Sequence, residues 1–474
     1  MVNGLSDINF FKITILLYCF FALIITLAFH DLATYIFSIN FIISIILSLS
    51  GRWIDIRVGM LVFLSLYYFG QFFNFFVVNS NDVASGLNDN IAFHLQDYTI
   101  NIQALNYVVF FQLGLLVNLT LHAFNFHKIT MSQYGKSSIL TYDYFIMSKI
   151  TKALLLFVFV LLLTTLNWDR ISNEYTLEGM SKVFFVYYLL FTVIVINFIY
   201  KSIYLKKGRS QFVVFMLLSI ILFNYLGVRQ VLFWSLLVSF ISIAIFIHIY
   251  KNTTLSFVRY KKYFFFFLVL SIFLLILLNI SFLFRHQKSE VISVLLGVNF
   301  MDMVNSLISA FFAETKLTTY NLLAIVSENN QANYLSFFGM LSDMLIMMIP
   351  YDLWAEKYAY LETVNFAKKY NVTPFGTWYI VGHFASLAVY PIFVFIASYM
   401  YSMFLYVFSA QVLTRCNSLI MASVFYGISY VFLGLYVVRG SLIGGIKMTL
   451  TLIFGIMLLN FILKYVRLFL IKTS

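Results

Sequence analysis

Three prolines and two cysteines in 474 residues leave few helix breakers and no material for a disulfide framework. Cys19 and Cys416 lie in or beside apolar runs far apart in the chain, so neither a bridge nor a thiolate metal site is expected. Charge is scarce as well. Only 10% of residues are Asp, Glu, Lys or Arg, 62% are hydrophobic, and mean hydropathy is +0.94. That balance excludes a soluble globule, because apolar runs of about 20 residues recur throughout, each long enough to cross hydrocarbon. A small-residue cleavage site is also missing after the first run, 10–29, which is followed by His30 and Asp31. The run is therefore expected to stay attached as a first span. The 56 Phe and 33 Tyr are background, as expected of lipid-facing and interfacial surface or of an AT-rich genome.

What is present is an all-α polytopic pattern of about twelve spans: 10–29, 32–49, 58–78, 104–124, 150–166, 183–204, 212–228, 231–250, 263–284, 379–408, 418–437 and 442–463. With a cytoplasmic amino terminus, 19 of the 30 Lys and Arg fall on the inner side, Arg52 and Arg57 among them, and 15 of the 18 acidic residues on the outer side. The basic balance is thus an orientation signal. The inner basic loops are short and scattered, so no nucleic-acid partner is expected, and both termini are placed in the cytoplasm.

This orientation divides the chain into a membrane domain at 1–284, a large outer loop at 285–378 and a second membrane segment at 379–474. Within the loop, 302–326 has helical spacing of apolar residues. The stretch 335–349 is too short to span comfortably, carries Asp343 and ends at Pro350, as an interfacial or re-entrant helix would. In 351–370, Trp354, Tyr358 and Leu361 fall opposite Glu356, Lys357 and Lys368 at helical spacing, which predicts a helix lying at the membrane surface. The loop is expected to form a small helical lid. A second outer loop, 79–102, holds Asp82, Asp89 and Asp97 without Lys or Arg and shows no chemistry beyond an acidic surface.

Three arginines fall at one outer membrane face. Arg229 sits at the tip of a tight span pair in Gly227-Val228-Arg229-Gln230, and Arg439 at a second tip in Gly434-Leu435-Tyr436-Val437-Val438-Arg439-Gly440-Ser441. Arg285 opens the long loop. A guanidinium at that depth suits a lipid diphosphate, because its planar fork binds phosphate oxygens in pairs and keeps its charge. A snorkelling interfacial anchor explains any one of them singly; Lys447, in the last span, is a fourth candidate and reads more simply as a lysine reaching back to the outer surface.

A multispan chain with Gly227-Val228-Arg229 at a span tip, Arg285 as it leaves the next span, one long outer loop, and a span entered through Thr373-Pro374-Phe375-Gly376 resembles the bacterial O-antigen polymerases and the related O-antigen ligases. The likeness covers the whole chain as architecture. It departs in detail, since Val228 replaces the middle serine of a Gly-Ser-Arg-like tip and Arg285 has Gly297 twelve residues on, near the family interval but not on it. The resemblance implies a fold like the GT-C-type membrane glycosyltransferases in a bacterial inner membrane, with the active site facing the periplasm. It implies an undecaprenyl-diphosphate-linked oligosaccharide as donor, a sugar hydroxyl of a new repeat unit as acceptor, and a polysaccharide co-polymerase that sets chain length as partner.

On that resemblance, Arg229, Arg285 and Arg439 bind diphosphate. The acceptor hydroxyl needs a base, and His383, in Trp378-Tyr379-Ile380-Val381-Gly382-His383 just after the loop, resembles the histidine that the ligases carry there. A hydrogen-bonded histidine packed between spans fits the same position. His286 is the next candidate, followed by Glu314, Asp343, Asp352 and Glu356. Trp354, Tyr358, Tyr360 and Trp378 are candidates for stacking on sugar rings, or for simple interface anchors. Without a Gly-rich phosphate loop or an Asp-x-Asp motif, no cofactor and no metal are expected. The ligase, transferring the same donor to lipid A core, stays open as an alternative. So does a flippase for lipid-linked oligosaccharide, although it needs no 94-residue outer segment and favours charges along a central cavity.

Overall fold

The computed structural model describes residues 2–77, 98–122, 177–200, 229–251, 353–361, 380–386, 390–416, 418–440 and 442–473, together with 322–323, 325–326, 342–343, 345–347 and 349. Every regular element among them is helical. We label α1 Val2–Ala28, α2 Ala33–Leu49, α3 Ile56–Val77, α4 Tyr98–Leu121, α5 Leu177–Phe198 and α6 Arg229–Lys251. They are followed by α7 Ile380–Ser386, α8 Pro391–Arg415, α9 Leu419–Ser429 and α10 Leu442–Thr473. Seven stretches are long and apolar enough to cross a membrane: Phe11–Ala28, His30–Leu49, Thr99–Leu121, Phe233–Tyr250, Pro391–Arg415, Leu419–Arg439 and Leu442–Leu459. They coincide with seven of the expected spans, as a polytopic membrane protein requires. Shorter apolar helices at Ile56–Phe69 and Tyr187–Phe198 fall on two more. The expected spans at 150–166, 212–228 and 263–284 lie outside the described residues, as does the acidic loop at 79–97.

Two compact units form. The first comprises Met1–Asn125, Phe311–Ser409 and Phe432–Lys447, the second Phe126–Ala310, Ala410–Val431 and Met448–Ser474. In the first, α2 packs on α3 and α4, and α1 on α4. A polar ladder crosses all four helices. The Tyr18 hydroxyl donates to Asn40 Oδ1 at 2.8 Å, Asn40 Nδ2 to Gln112 Oε1 at 3.0 Å, and Gln112 Nε2 to Ser65 Oγ at 2.9 Å. Helices in lipid gain little from burying apolar side chains against one another, so buried amide bonds of this kind fix which faces meet.

Close approach supplies the rest. A Cβ on Gly114 of α4 would stand 1.8 Å from Ser398 Oγ and 2.5 Å from the Phe395 carbonyl oxygen of α8. The hydroxyl can rotate away; the backbone oxygen cannot. Gly114→Ala is therefore expected to force α4 and α8 apart and lower stability by about 2 kcal/mol or more, seen as an earlier midpoint in thermal unfolding of the detergent-purified protein. A wild-type melting curve would disprove the contact. In the second unit α9 packs along α6 through Gly427, where a Cβ would meet Ser242 Oγ at 2.2 Å, and α5 packs on both helices.

The expected span at 379–408 needs correcting. The chain forms the short α7 and then a new helix beginning at Pro391, which continues to Arg415. Proline is suited to a first helical position, where its missing N–H has no intrahelical acceptor to serve.

Candidate functional site

His383 lies on α7 and is 1% exposed. The sequence around it explains why the helix stays put. Phe384 stacks on Phe111 of α4, with ring centroids 5.9 Å apart and planes at 22°, and meets Tyr401 of α8 edge-on at 6.2 Å. Beside it, Gly382 faces Ile325 so closely that a Cβ would stand 3.1 Å from Cδ1. The Ser386 hydroxyl donates to the His383 carbonyl at 2.8 Å. The imidazole is thus mounted on a piece of backbone braced by aromatic and aliphatic contacts.

Arg439 is delivered by an irregular helix. After α9 the backbone widens into a π-helix at Tyr430–Tyr436 and closes in a turn at Val437–Arg439. A π segment rotates everything beyond it relative to a regular helix and loosens its own carbonyls. The Leu433 carbonyl accepts a hydrogen bond from the Tyr401 hydroxyl at 2.6 Å. The Val437–Arg439 turn touches both α7 and α3, and the Arg439 guanidinium is within electrostatic reach of the Tyr436 hydroxyl. Reversal follows at Gly440, where the Tyr436 ring takes the space of a side chain: a Cβ would lie 2.5 Å from Cζ.

Gly434 packs against Ile56, the first residue of α3, and the Arg439 turn touches α3 and α7, while α7 in turn stacks through Phe384 on Phe111, midway along α4.

Two lysines of the same unit meet at another place. Lys447, in the second turn of α10, donates to the Met347 carbonyl at 3.0 Å. Lys357 donates to the Ile349 carbonyl. Burial, and then the neighbouring Lys447 ammonium, hold the Lys357 ammonium below the usual lysine range.

Lys357 was expected on the solvated face of a surface helix; instead it is 1% exposed. The segment Ala355–Tyr360 is a 3-10 helix, so residues three apart share a face. Trp354 and Tyr360 accordingly pair at 5.2 Å across the Lys357 position. Asp343 is fully buried while Leu345 is 65% exposed, a pattern that faces lipid better than water.

The other expected site residues fall as follows. Arg229 opens α6, in the second unit, and Arg439 belongs to the first. Glu356 is exposed, Trp354 half-buried and Tyr360 exposed, while Tyr358 lies within the 3-10 turn. Arg285, His286, Glu314, Asp352 and Trp378 lie outside the described residues. Among the described residues no group of three or more His, Cys, Asp or Glu is placed to hold a metal ion.

The sequence singled out Lys447 but gave no sign that Lys357 lies near it. The available signal was Lys447 itself, a charge two turns inside an apolar run, where an ionisable group is costly without a purpose. The Arg439 turn and the His383 helix together offer a cation for an anionic group and a buried imidazole for proton transfer. Compared with protein-family models, curated proteins and solved structures, the chain matches none.

Proposed function

We propose that this chain is a membrane-embedded glycosyltransferase of the O-antigen polymerase type. It would act on undecaprenyl-diphosphate-linked repeat units at the periplasmic face of a bacterial inner membrane. The observation that carries the reading is the packing of the buried His383 helix against the Arg439 turn, with that turn also on α3 and the His383 helix also on α4. This sets a guanidinium and an imidazole on touching elements, the two functions that lipid-diphosphate displacement requires. A co-polymerase that sets chain length is the partner that follows from this reading.

In the reaction the acceptor sugar hydroxyl attacks the anomeric carbon of the growing chain. The new bond is C1–O(acceptor), and the bond that breaks is C1–O(phosphate), whose electron pair leaves with the lipid diphosphate. Arg439 stabilises the charge that develops there, with Arg229 and Arg285 the further candidates from the sequence. His383 accepts the hydroxyl proton. One displacement inverts the anomeric centre.

The test is reconstitution. Purified chain in proteoliposomes, given an authentic lipid-linked repeat unit, is expected to yield a ladder of longer lipid-linked products on gels. Failure to form a ladder with that substrate would refute the polymerase. Adding lipid A core as a second acceptor separates the ligase, which transfers a chain to it and forms no ladder.

A further inference from the structure

We propose that Tyr401 of α8 is a positioning residue: with one hydrogen bond and one ring contact it holds the π segment leading to Arg439 and the helix bearing His383 in a fixed mutual arrangement. What this means for turnover rests on the glycosyl-transfer reading, whereas the effect on the backbone does not.

Tyr401 is buried on a helix whose nearby positions Met400 and Phe404 are exposed, so it is turned toward the rest of the unit. Its ring meets Phe384 edge-on, with centroids 6.2 Å apart and planes at 66°, and Phe384 directly follows His383 on α7. Its hydroxyl donates to the Leu433 carbonyl at 2.6 Å. Leu433 lies within the π segment Tyr430–Tyr436, six residues before Arg439. One side chain of α8 therefore touches both elements of the site, through Phe384 on one and Leu433 on the other.

The hydrogen bond matters because of where its acceptor lies. A π-type turn spaces its backbone bonds one residue further apart than an α turn. Reverting to α pitch would rotate the chain beyond it by about 100°, the turn of one residue, and carry Arg439 off the side that meets α7. The Tyr401 hydroxyl fastens the widened turn from outside the helix. Both partners are buried, so water does not readily replace the phenol when it is removed. The ring acts on the other element. Phe384 is held between Phe111, stacked at 5.9 Å, and the Tyr401 edge. A displacement reaction needs such precision, since a misplacement of about 1 Å can cost about 100-fold in rate.

The experiment uses full-length protein in phosphatidylcholine nanodiscs and the variant Tyr401→Phe, which keeps the ring on Phe384 and removes only the hydroxyl. Hydrogen exchange read by mass spectrometry needs no substrate. Amides of 430–440 are expected to exchange about fivefold faster or more, because a buried bond to that backbone is lost, while those of α4 keep their wild-type rates. In the ladder assay kcat is expected to fall about tenfold with KM for the lipid-linked repeat unit unchanged. Misplaced groups weaken the transition state more than ground-state binding.

Wild-type exchange at 430–440 in Tyr401→Phe overturns the proposal. Faster exchange that extends through α4, or a variant that is not recovered folded, also overturns it, because the hydroxyl then supports the fold as a whole. The two readings fail separately. No ladder from wild type, with exchange accelerated only at 430–440 in the variant, sinks the polymerase and leaves the positioning role of Tyr401. A ladder made by Tyr401→Phe at the wild-type kcat sinks the positioning role and leaves the polymerase.

Discussion

Asp55→Ala is expected to abolish recovery of folded protein. Arg57 is 0% exposed, and Asp55 receives it in two places, Nε to Oδ1 at 3.0 Å and Nη2 to Oδ2 at 2.6 Å. The remaining donors reach neutral acceptors, Asn118 Oδ1 and the His122 carbonyl, each at 2.8 Å. The Tyr406 ring lies 5.0 Å from the guanidinium carbon, and Ser402 donates to the same Asn118 oxygen at 3.0 Å. One side chain thus ties the start of α3 to the end of α4 and the middle of α8.

Removing the carboxylate leaves a buried cation facing dipoles only, a loss of about 3–5 kcal/mol from a total stability of comparable size. The double variant Asp55→Leu with Arg57→Met removes both charges and is expected to be milder than the single change. Size-exclusion profiles and melting curves in detergent check both. An Asp55→Ala protein that elutes and melts like wild type would show that the pair contributes nothing.

That cluster illustrates how far the sequence could be read. Charge counting placed Arg57 with the inner basic residues and stopped there, because its partners Asn118 and His122 lie more than sixty residues away and only packing brings them near. The apolar runs were legible, since hydrocarbon thickness fixes their length, and seven of them reappear as long apolar helices. The break before Pro391 was legible in principle, as proline disfavours a helical residue ahead of it, but the apolar run on both sides masked it.

Lys357 was misplaced for a different reason. Residues three apart fall on one side of an α-helical wheel as well as of a 3-10 one, so neither pitch sets Lys357 opposite Trp354; its donation to the Ile349 carbonyl depends on a fold-back that no wheel shows. The contact of the Arg439 turn with α7 was not legible either, since it follows a π-helical stretch and no residue type announces one.

His383→Gln carries the largest expected effect on turnover. Glutamine keeps a polar, nearly isosteric side chain on α7 but accepts no proton at working pH, so the loss of a general base should lower kcat by about 100-fold or more. Arg439→Lys preserves charge and removes the paired donors; about 10- to 100-fold is expected, since a single preorganised donor at a developing oxyanion is worth at least that much.

The two substitutions should differ in pH dependence. An imidazole base works only when neutral, so the wild-type rate falls on acidification, and that acid limb should vanish in His383→Gln while persisting in Arg439→Lys. A purely structural histidine predicts otherwise. His383 is buried beside the stacked Phe384, so loss of packing would lower the melting temperature and the rate together and leave the shape of the pH profile intact. Ladder assays across pH, paired with melting curves on the same preparations, separate the outcomes. Wild-type turnover in His383→Gln would transfer the role of base to another group, with the buried Asp343 the next carboxylate to test.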